Sequence, residues 1–594
     1  MRYTADFETT TDEKDCRVWA FAVAGVDETD FFKFGNNIDD FMKFCENSEN
    51  ATVYFHNLKF DGEFILIWLF EHGFTHVIDR KEIKSKTFTT LISDKGMFYS
   101  IKIIFEKEGK RSNSVTIYDS LKILPFSVAQ IAKGFNLPIS KLEIDYDAPR
   151  PVGHELTTDE IAYIHNDVSI VAQALKVLFS QGLEKMTQGS NALFDYKRTV
   201  TNKKFEKWFP VPEYDSDVRQ SYKGGFTYLN PKYKEVDIGS GIVLDVNSLY
   251  PWAMHDCPLP YGEGMFFEGC YEYDKIYNLY VQMFTCQFEL KEGFIPTIQL
   301  KNNLAFVPTE YLTSSEGEEI TMCLTSVDLE LFLKHYDVYN VVWHSGWKFK
   351  STTGLFTEYI DKWTKVKIES TLNGNKAMRT LAKLMLNALY GKFALNPNVQ
   401  SKIPMYDNGL IRYKLGEKET RKPIYIPVGT FITAWARHKT ISNAQLMFDY
   451  FVYADTDSLH LRIELPEHLR ELSSHEIEML TTEQLRAEGL NLPDGFEVDP
   501  VKLGAWKLES HFYRARFLRQ KSYVEDSNKP ETWGTPDYDP DLLKITCAGM
   551  PAACYQYVTF DNFHTGENFA GKLQPKHVKG GIVLKDIDFT IKKG

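Results

Sequence analysis

The run Lys383-Leu384-Met385-Leu386-Asn387-Ala388-Leu389-Tyr390-Gly391-Lys392 carries the most information in this 594-residue chain. With Arg379 just upstream, Arg379, Lys383, Asn387 and Tyr390 are spaced four, four and three. That spacing stacks them on one face of a helix. Leu381, Met385, Ala388 and Leu389 line the opposite face, and Gly391 is expected to end the helix. A basic, polar and aromatic stripe is most often a solvated face with one core tyrosine. The order here also suits phosphate, phosphate and base: two cations for a triphosphate, then an aromatic plane for a nucleobase.

Two acidic segments lie at long range on either side. Asp245-Val246-Asn247-Ser248-Leu249-Tyr250-Pro251 follows the apolar stretch Ile242 to Leu244. It reads as a strand ending at a turn, because Pro251 cannot continue a ladder. Tyr453-Ala454-Asp455-Thr456-Asp457-Ser458 follows Phe451 and Val452. Asp455 and Asp457 are expected on one strand face across a tight turn. Taken alone, Asp-Thr-Asp-Ser is an ordinary polar hairpin tip.

Further out, the chain to about Gly182 alternates strands and helices. Tyr3–Phe7, Val18–Val23, Ala51–His56 and Met97–Phe105 read as strands. Thr157 and Glu160 form a capping box before a helix whose face is Ile161, Ile164, Val168, Val171 and Leu175, ending before Gly182. Asp6 and Glu8 leave one face of the first strand. Two carboxylates side by side repel unless a cation lies between them, and Mg2+ or Mn2+ prefers such oxygen ligands. Asp61, in His56-Asn57-Leu58-Lys59-Phe60-Asp61, is expected just past the end of a strand. Tyr163 and Asp167 lie four apart on the capped helix. Four carboxylates and a phenol suit two-metal phosphodiester hydrolysis, with Tyr163 orienting the water. The polar, basic stretch Lys185 to Lys207 reads as a connector to a second region beginning near Tyr222.

Asp6-Phe7-Glu8-Thr9, Asn57 to Asp61, and Tyr163 with Asp167 resemble the three motifs of the proofreading 3′–5′ exonuclease domain of family B DNA polymerases, an RNase H-like α/β fold. The resemblance implies Asp6, Glu8, Asp61 and Asp167 as metal ligands. It implies Asn57, Phe60, Ser120 and Leu121 as holders of the frayed primer end, and Lys141, in Lys141-Leu142-Glu143-Ile144, as an assisting lysine. The run Lys383 to Lys392 is similar to the family's fingers motif, Asp245 to Pro251 to its first palm motif, and Tyr453 to Ser458 to its second. The implied roles follow. Asp245, Val246 and Asp457 belong to the metal site, supported by Asp455. Lys383, helped by Arg379, binds the triphosphate, with Asn387 on the same face. Tyr390 packs on the nascent base pair, and Tyr250 excludes a 2′-hydroxyl. Arg379 stands where the family commonly has Lys, which keeps the charge and changes the phosphate geometry.

Tyr222-Lys223-Gly224-Gly225 resembles the family's template-contacting Tyr-x-Gly-Gly junction, and adjacent glycines permit close approach of backbone to phosphate. Thr433 and Arg437 resemble a second template contact. Lys521 and Tyr523 resemble the Lys-x-Tyr primer contact. Together with Ile295 to Gln299, Thr353 to Phe356 and Cys547 to Met550, the match points to the protein-primed branch, the phi29-type phage DNA polymerases. It runs nearly end to end. It implies a multidomain α/β and α+β chain: an exonuclease domain (1–187), palm (188–256), a terminal-protein-region insertion (257–354), fingers (355–393), a strand-displacement hairpin (394–427), palm again (428–548) and thumb (549–594). An acidic, helix-rich insertion, Glu464 to Val498, has no assigned role. The resemblance implies replication of a linear viral genome from a terminal-protein primer, with strand displacement and high processivity. Its partners are primer-template DNA, the displaced strand, dNTPs and the terminal protein, and its cofactors two Mg2+ per active site, with Mn2+ able to substitute. It implies a monomer. A family B polymerase primed only by nucleic acid is the alternative.

Composition fits a folded protein: 43% hydrophobic and 25% charged residues exclude wholesale disorder. The eight cysteines show no Cys-x-x-Cys spacing, and the longest apolar run, Phe64 to Phe70, is too short to cross a membrane. With no apolar signal core at the start of the sequence, the expected place of work is the cytosol, its own or a host's; the resemblance to phage polymerases implies the cytoplasm of an infected bacterial host, without membrane contact. The net charge of -13 argues against a phosphate-rich partner. Its distribution argues the other way. Lys362 to Lys392 holds seven cations against Glu369 alone, and His511 to Tyr523 holds four and no acid. Glu464 to Val498 holds nine acids against Arg470 and Arg486. A nuclease that merely grips DNA leaves the fingers stripe and the second acidic set unexplained. A non-catalytic scaffold leaves both acidic sets unexplained.

Overall fold

The computed structural model describes residues 1–300, 307 and 309–593. The strand Arg2–Thr9 lies inside an eight-stranded mixed sheet, paired antiparallel with Val18–Gly25 and parallel with Thr52–Phe55. Helices cover both faces, so Val18–Gly25 is buried along its whole length rather than at alternate residues. Its residues still sort by the period of two. Ala20, Ala22 and Ala24 pack in the core that includes Ile164, Val168 and Val171 of the helix Thr158–Ser180. Phe21 and Val23 pack in the core that includes Phe41 of Ile38–Asn47 and Phe64 of Leu58–Glu71. The capping box at Thr157 and Glu160 forms as expected, with both reciprocal hydrogen bonds present.

Asp61 does not follow the strand end directly. Asn57 turns the chain through a left-handed conformation (φ 77°), and Asp61 sits in the first turn of the helix Leu58–Glu71. The stretch Lys185 to Lys207 is no loose connector. It forms the helices Gln188–Val200 and Asn202–Trp208, with Ala192, Tyr196 and Val200 buried at a spacing of four. Its surface charges obscure that apolar stripe in the sequence. Asp195 is fully buried there and accepts hydrogen bonds from Lys362 Nζ (2.7 Å) and Trp363 Nε1 (2.9 Å). This anchors the base of the helix Thr357–Leu372.

A five-stranded antiparallel sheet dominates the second half. Its order is Trp506–Phe512, Gly241–Val246, Ser458–Leu461, Phe451–Asp455 and Thr227–Leu229. A four-stranded sheet packs against it through Val243, Tyr453, Phe517 and Tyr523. Another four-stranded sheet falls within 257–354, a range that also contains 301–306 and 308, outside the described residues. Two hairpins complete the chain: Asn398–Asp407 with Leu410–Thr420, and Asn568–Val578 with Gly581–Thr590. The acidic segment folds as three short helices, Glu467–Arg470, Ser474–Glu478 and Thr482–Ala487. Leu469, Ile477, Leu485 and Phe496 seat it in the same core as Leu244, Trp506 and Leu508. The multidomain α/β and α+β class is thus the observed one. Among the described residues, no helix is long and apolar enough to cross a membrane, and all eight cysteines are free thiols.

Candidate active sites

The first site is built on the strand Arg2–Thr9 and the helix Thr158–Ser180. Asp6, Glu8 and Asp167 bring carboxylate oxygens within 4.8 Å of one another. Burial raises all three acids, and each feels a neighbour of like charge or a cation. Asp6 is pushed up to about 7, burial first and Asp167 second, with Lys141 opposing. Glu8 lies well above the usual carboxylate range, from burial and then Asp6. Asp61 is raised well above it too, by burial and then Asp6. Lys141 Nζ pairs with Asp167 and lies 3.5 Å from Tyr163 Oη, which is 2.8 Å from Tyr146 Oη. Asp61 Oδ1 and Asp167 Oδ1 are buried with no hydrogen-bond partner. Orphaned oxygens among mutually repelling carboxylates fit a hard divalent cation. Tyr146 is a member that sequence reasoning missed; it lies in an irregular segment with no periodic signal.

The expected primer-end holders divide into two groups. Asn57 is exposed and Phe60 half-buried, beside the acids. Ser120 is fully buried, its hydroxyl donating to Phe55 O (2.9 Å) and lying 3.0 Å from His56 Nδ1. It ties the strand Thr52–Phe55 to its neighbour rather than facing solvent. Leu121 is half-buried, and Asp119 Oδ1 accepts from the backbone N–H of both Asn57 and Leu121 (3.0 Å each). One buried carboxylate therefore shapes the loop pair flanking the site.

The second site lies on the five-stranded sheet. Asp245 lies one residue before the end of the strand Gly241–Val246, and Asp455 and Asp457 sit at the turn that joins Phe451–Asp455 to Ser458–Leu461, the latter paired with the Asp245 strand. Asp457 belongs to the turn itself rather than to a strand face. Thr456 takes φ 61° there, and Val246 N–H donates to Asp457 O (2.7 Å). A cavity of about 470 Å3 is lined by Asp245, Asp455, Asp457, Tyr250 and Tyr390. Asp245 is pushed up to about 7 by burial, Asp457 and Glu509, with Lys507 and Lys383 opposing. Asp457 is raised by burial foremost. Asp455 is already committed. It accepts from Thr227 Oγ1 (3.0 Å) and Tyr453 Oη (3.4 Å) and pairs with Lys521 Nζ (3.2 Å). That leaves Asp245 and Asp457 as the pair free to take a cation. Glu509 was not evident from the sequence; it enters the site only because its strand pairs with that of Asp245.

On the helix Lys376–Ala388, Arg379, Lys383 and Asn387 are exposed while Leu381, Met385 and Leu386 are buried. Gly391 does not end this helix. The break comes at Leu389, and Tyr390–Phe393 forms a separate short turn that runs through Gly391. The break swings Tyr390 onto Tyr250, with ring centroids 4.1 Å apart and planes 16° apart. Lys367, Arg379 and Lys383 have no carboxylate partner among the described residues.

The expected DNA contacts in the junction are placed differently. Gly225 approaches no open surface: a Cβ there would lie 2.6 Å from Thr456 Oγ1, so its bareness makes room for the turn that carries Asp455 and Asp457. A Cβ at Gly224 would meet nothing within 4 Å. Tyr222 is half-buried. Thr433 is buried and donates to Thr430 O (3.0 Å) within its own helix. Arg437 is 4% exposed, binding Asp328 through two bonds (2.9 and 2.7 Å) and the carbonyls of Lys223 (2.7 Å) and Gly224 (2.8 Å). It shapes the junction from beneath. Lys521 reaches Asp455 at the site, and Tyr523, packed against Phe517 and Tyr453, lines the same cavity. A buried pair absent from the sequence reading, His460 Nδ1 with Glu525 Oε1 at 2.5 Å, joins the two sheets behind the cavity. The basic segment His511 to Tyr523 is also partly internal: Arg514 pairs with Asp526 (2.7 Å) and Arg516 with Asp237 (2.5 Å).

A family model described as DNA polymerase type B, organellar and viral, matches residues 43–154 and 149–473. The chain is 47% identical over 602 residues to the DNA polymerase of Bacillus phage PZA and equally so to that of Bacillus phage phi29, covering 99% of this chain and of each relative. Among solved structures, it is similar to phi29 DNA polymerase complexed with primer-template DNA and incoming nucleotide, with a TM-score of 0.88, 46% identity and complete coverage of both chains.

Proposed function

This chain belongs to the phi29-type phage branch of the type B DNA polymerases and is a DNA-directed DNA polymerase with exonuclease activity, and we propose that its two acidic sites divide that work. The cavity on the five-stranded sheet performs nucleotidyl transfer; Asp6, Glu8, Asp61 and Asp167 serve 3′–5′ hydrolysis. The carrying observation is that two sets of raised, mutually repelling carboxylates sit on separate sheets, and only one faces the fingers cations.

In the transfer site, Asp245, Asp457 and the carbonyl of Val246 would hold Mg2+, two ions per site, with Mn2+ able to substitute. Bound there, the ions would lower the charge barrier to attack and to pyrophosphate departure. Lys383 and Arg379 receive the triphosphate, with Asn387 beside them. The Tyr250 and Tyr390 rings form a stacked floor for the new base pair and sugar. Lys521 holds Asp455 and faces the primer terminus. In the hydrolytic site, Lys141 and Tyr146 fix Tyr163, whose hydroxyl orients the water, while Asn57, Phe60 and Leu121 meet the frayed end. We divide the chain as 1–187 exonuclease, 188–256 and 428–548 palm, 257–354 and 394–427 insertions, 355–393 fingers and 549–594 thumb. We further propose a monomer that primes on a terminal protein in the host cytoplasm.

The test is a 5′-labelled primed template with Mg2+, with and without dNTPs. Extension is expected with dNTPs and shortening without. Asp457→Ala abolishes only extension, and Asp6→Ala only shortening. Wild-type extension by Asp457→Ala sinks the assignment. Protein priming predicts transfer of a labelled nucleotide to the partner protein with no nucleic-acid primer present.

A further inference from the structure

The strand Trp506–Phe512 pairs with Gly241–Val246 so that Lys507 lies directly opposite Asp245. Directly opposed residues project from the same face of a sheet. Glu509 sits at the irregularity where the register shifts between Val243 and Leu244, and it lines the cavity beside Asp245 and Asp457. Trp506 and Leu508 point the other way, into the core. Lys507 therefore stands on the reactive face. Its charge is felt by Asp245 and by Lys367. It opposes the rise in the Asp245 carboxyl, and it joins Lys383 and Arg379 in lowering Lys367, where burial is the larger cause. Lys507 and Lys383 thus act on Asp245, and Lys383, Arg379 and Lys507 act on Lys367.

Three of these four cations have no carboxylate partner among the described residues. Lys507 has one: Glu478, at 3.3 Å. Glu478 ends the helix Ser474–Glu478 of the acidic segment, and its neighbour Ile477 is buried in the palm core, which holds the helix against the strand of Lys507. The lysine side chain is 26% exposed and the carboxylate 37%. An ion pair that open to water is weak, so a more highly charged anion displaces it readily.

We propose that Lys507 is a further phosphate-binding residue for the incoming nucleotide, and that Glu478 covers it until a triphosphate displaces the carboxylate. The acidic segment then sets the affinity of the site for nucleotide. A triphosphate outcompetes a single carboxylate by charge, whereas weaker anions do not. Lys507 touches substrate; Glu478 acts through Lys507 and is a positioning residue.

This rests on the polymerase reading, and one set of measurements separates the two. Primer extension is followed against dNTP concentration for wild type, Lys507→Ala, Lys507→Arg, Glu478→Gln and the Lys507→Ala/Glu478→Gln pair. Lys507→Ala is expected to raise the KM for dNTP roughly three- to tenfold, as for loss of one charged phosphate contact, and Lys507→Arg to restore most of it. Glu478→Gln lowers KM roughly two- to fivefold with kcat little changed, the size of a freed surface ion pair, and has no effect once Lys507 is Ala. Removal of primer ends without dNTPs, measured alongside, stays at the wild-type rate in all variants and shows that each is folded. An unchanged KM in Lys507→Ala overturns the proposal. So does a Glu478→Gln effect of full size in the Lys507→Ala background. Failure of the wild type to extend any primer refutes the polymerase reading itself.

Discussion

Glu63 joins three segments that are far apart in the chain. It is 3% exposed on the helix Leu58–Glu71. Tyr413 Oη, from one hairpin, donates to its Oε1 at 2.6 Å. His577 Nδ1, from the C-terminal hairpin, lies 3.7 Å from its Oε2. The two hairpin tips also meet, Gly580 N–H donating to Gly409 O at 3.0 Å. Burial pushes the Glu63 carboxyl up from 4.5 to about 7, against the Tyr413 bond and Lys59. Burial also lowers His577, so it brings no charge at neutral pH. The closed junction therefore holds a proton that the opened one releases. The Glu63 contribution to closure is fullest below pH 4.5, is lost as pH rises through about 7, and is level beyond, while His577, lowered by burial, works the other way as pH falls and cancels between variants that share it. At about 1.4 kcal/mol per tenfold, the gap amounts to about 3 kcal/mol at most, or roughly 300-fold in the opening equilibrium. Glu63→Gln keeps an acceptor for Tyr413 and has nothing to titrate. Hydrogen exchange of residues 405–414 and 577–582, corrected for intrinsic rates, reads the result. Wild type should be much less protected than Glu63→Gln at pH 8 and nearly equal to it at pH 4.5. The same pH profile in both proteins would refute the reasoning.

Gly225→Ala places a Cβ 2.6 Å from Thr456 Oγ1 and 2.7 Å from its Cγ2. Overpacking of this kind costs about 1–3 kcal/mol, so extension should fall roughly tenfold or more while primer-end removal is unchanged. Gly224→Ala, with open space around it, is the control, and equal losses in both would point to phosphate approach instead. Arg437→Met strands Asp328, which is 7% exposed and whose carboxyl Arg437 holds below the usual range against burial. Losing one partner of such a pair costs about 3–5 kcal/mol, measurable by denaturant unfolding, and Asp328→Asn in the same chain should recover part of it. Full stability of Arg437→Met would mean that the guanidinium is held for DNA rather than for the fold.

Local pattern made the chemistry legible where one element carries it. The spacing of Arg379, Lys383 and Asn387 is a property of a single helix, so their shared exposed face follows from the periodicity alone. The capping box at Thr157 is equally local. Asp6 and Glu8, two apart on one strand, needed only the pleat. The buried helices from Gln188 to Trp208 were hidden because surface charge outweighed a thin apolar stripe.

Tertiary structure decided the rest, because those features depend on which strands lie side by side. Nothing in the order of residues places Lys507 opposite Asp245, or Glu509 beside Asp457; a ladder register does. Nothing local shows that Arg437 is spent on Asp328, or that Gly225 is bare for Thr456 rather than for a phosphate. The sequence by itself determined the family, the two acidic sets and the cations Arg379 and Lys383 on one helix face, since each is written in short-range spacing. Which charged groups stay free to meet a nucleic acid was settled only by packing, because an ion pair or a buried contact forms between residues that the fold, not the chain, makes neighbours.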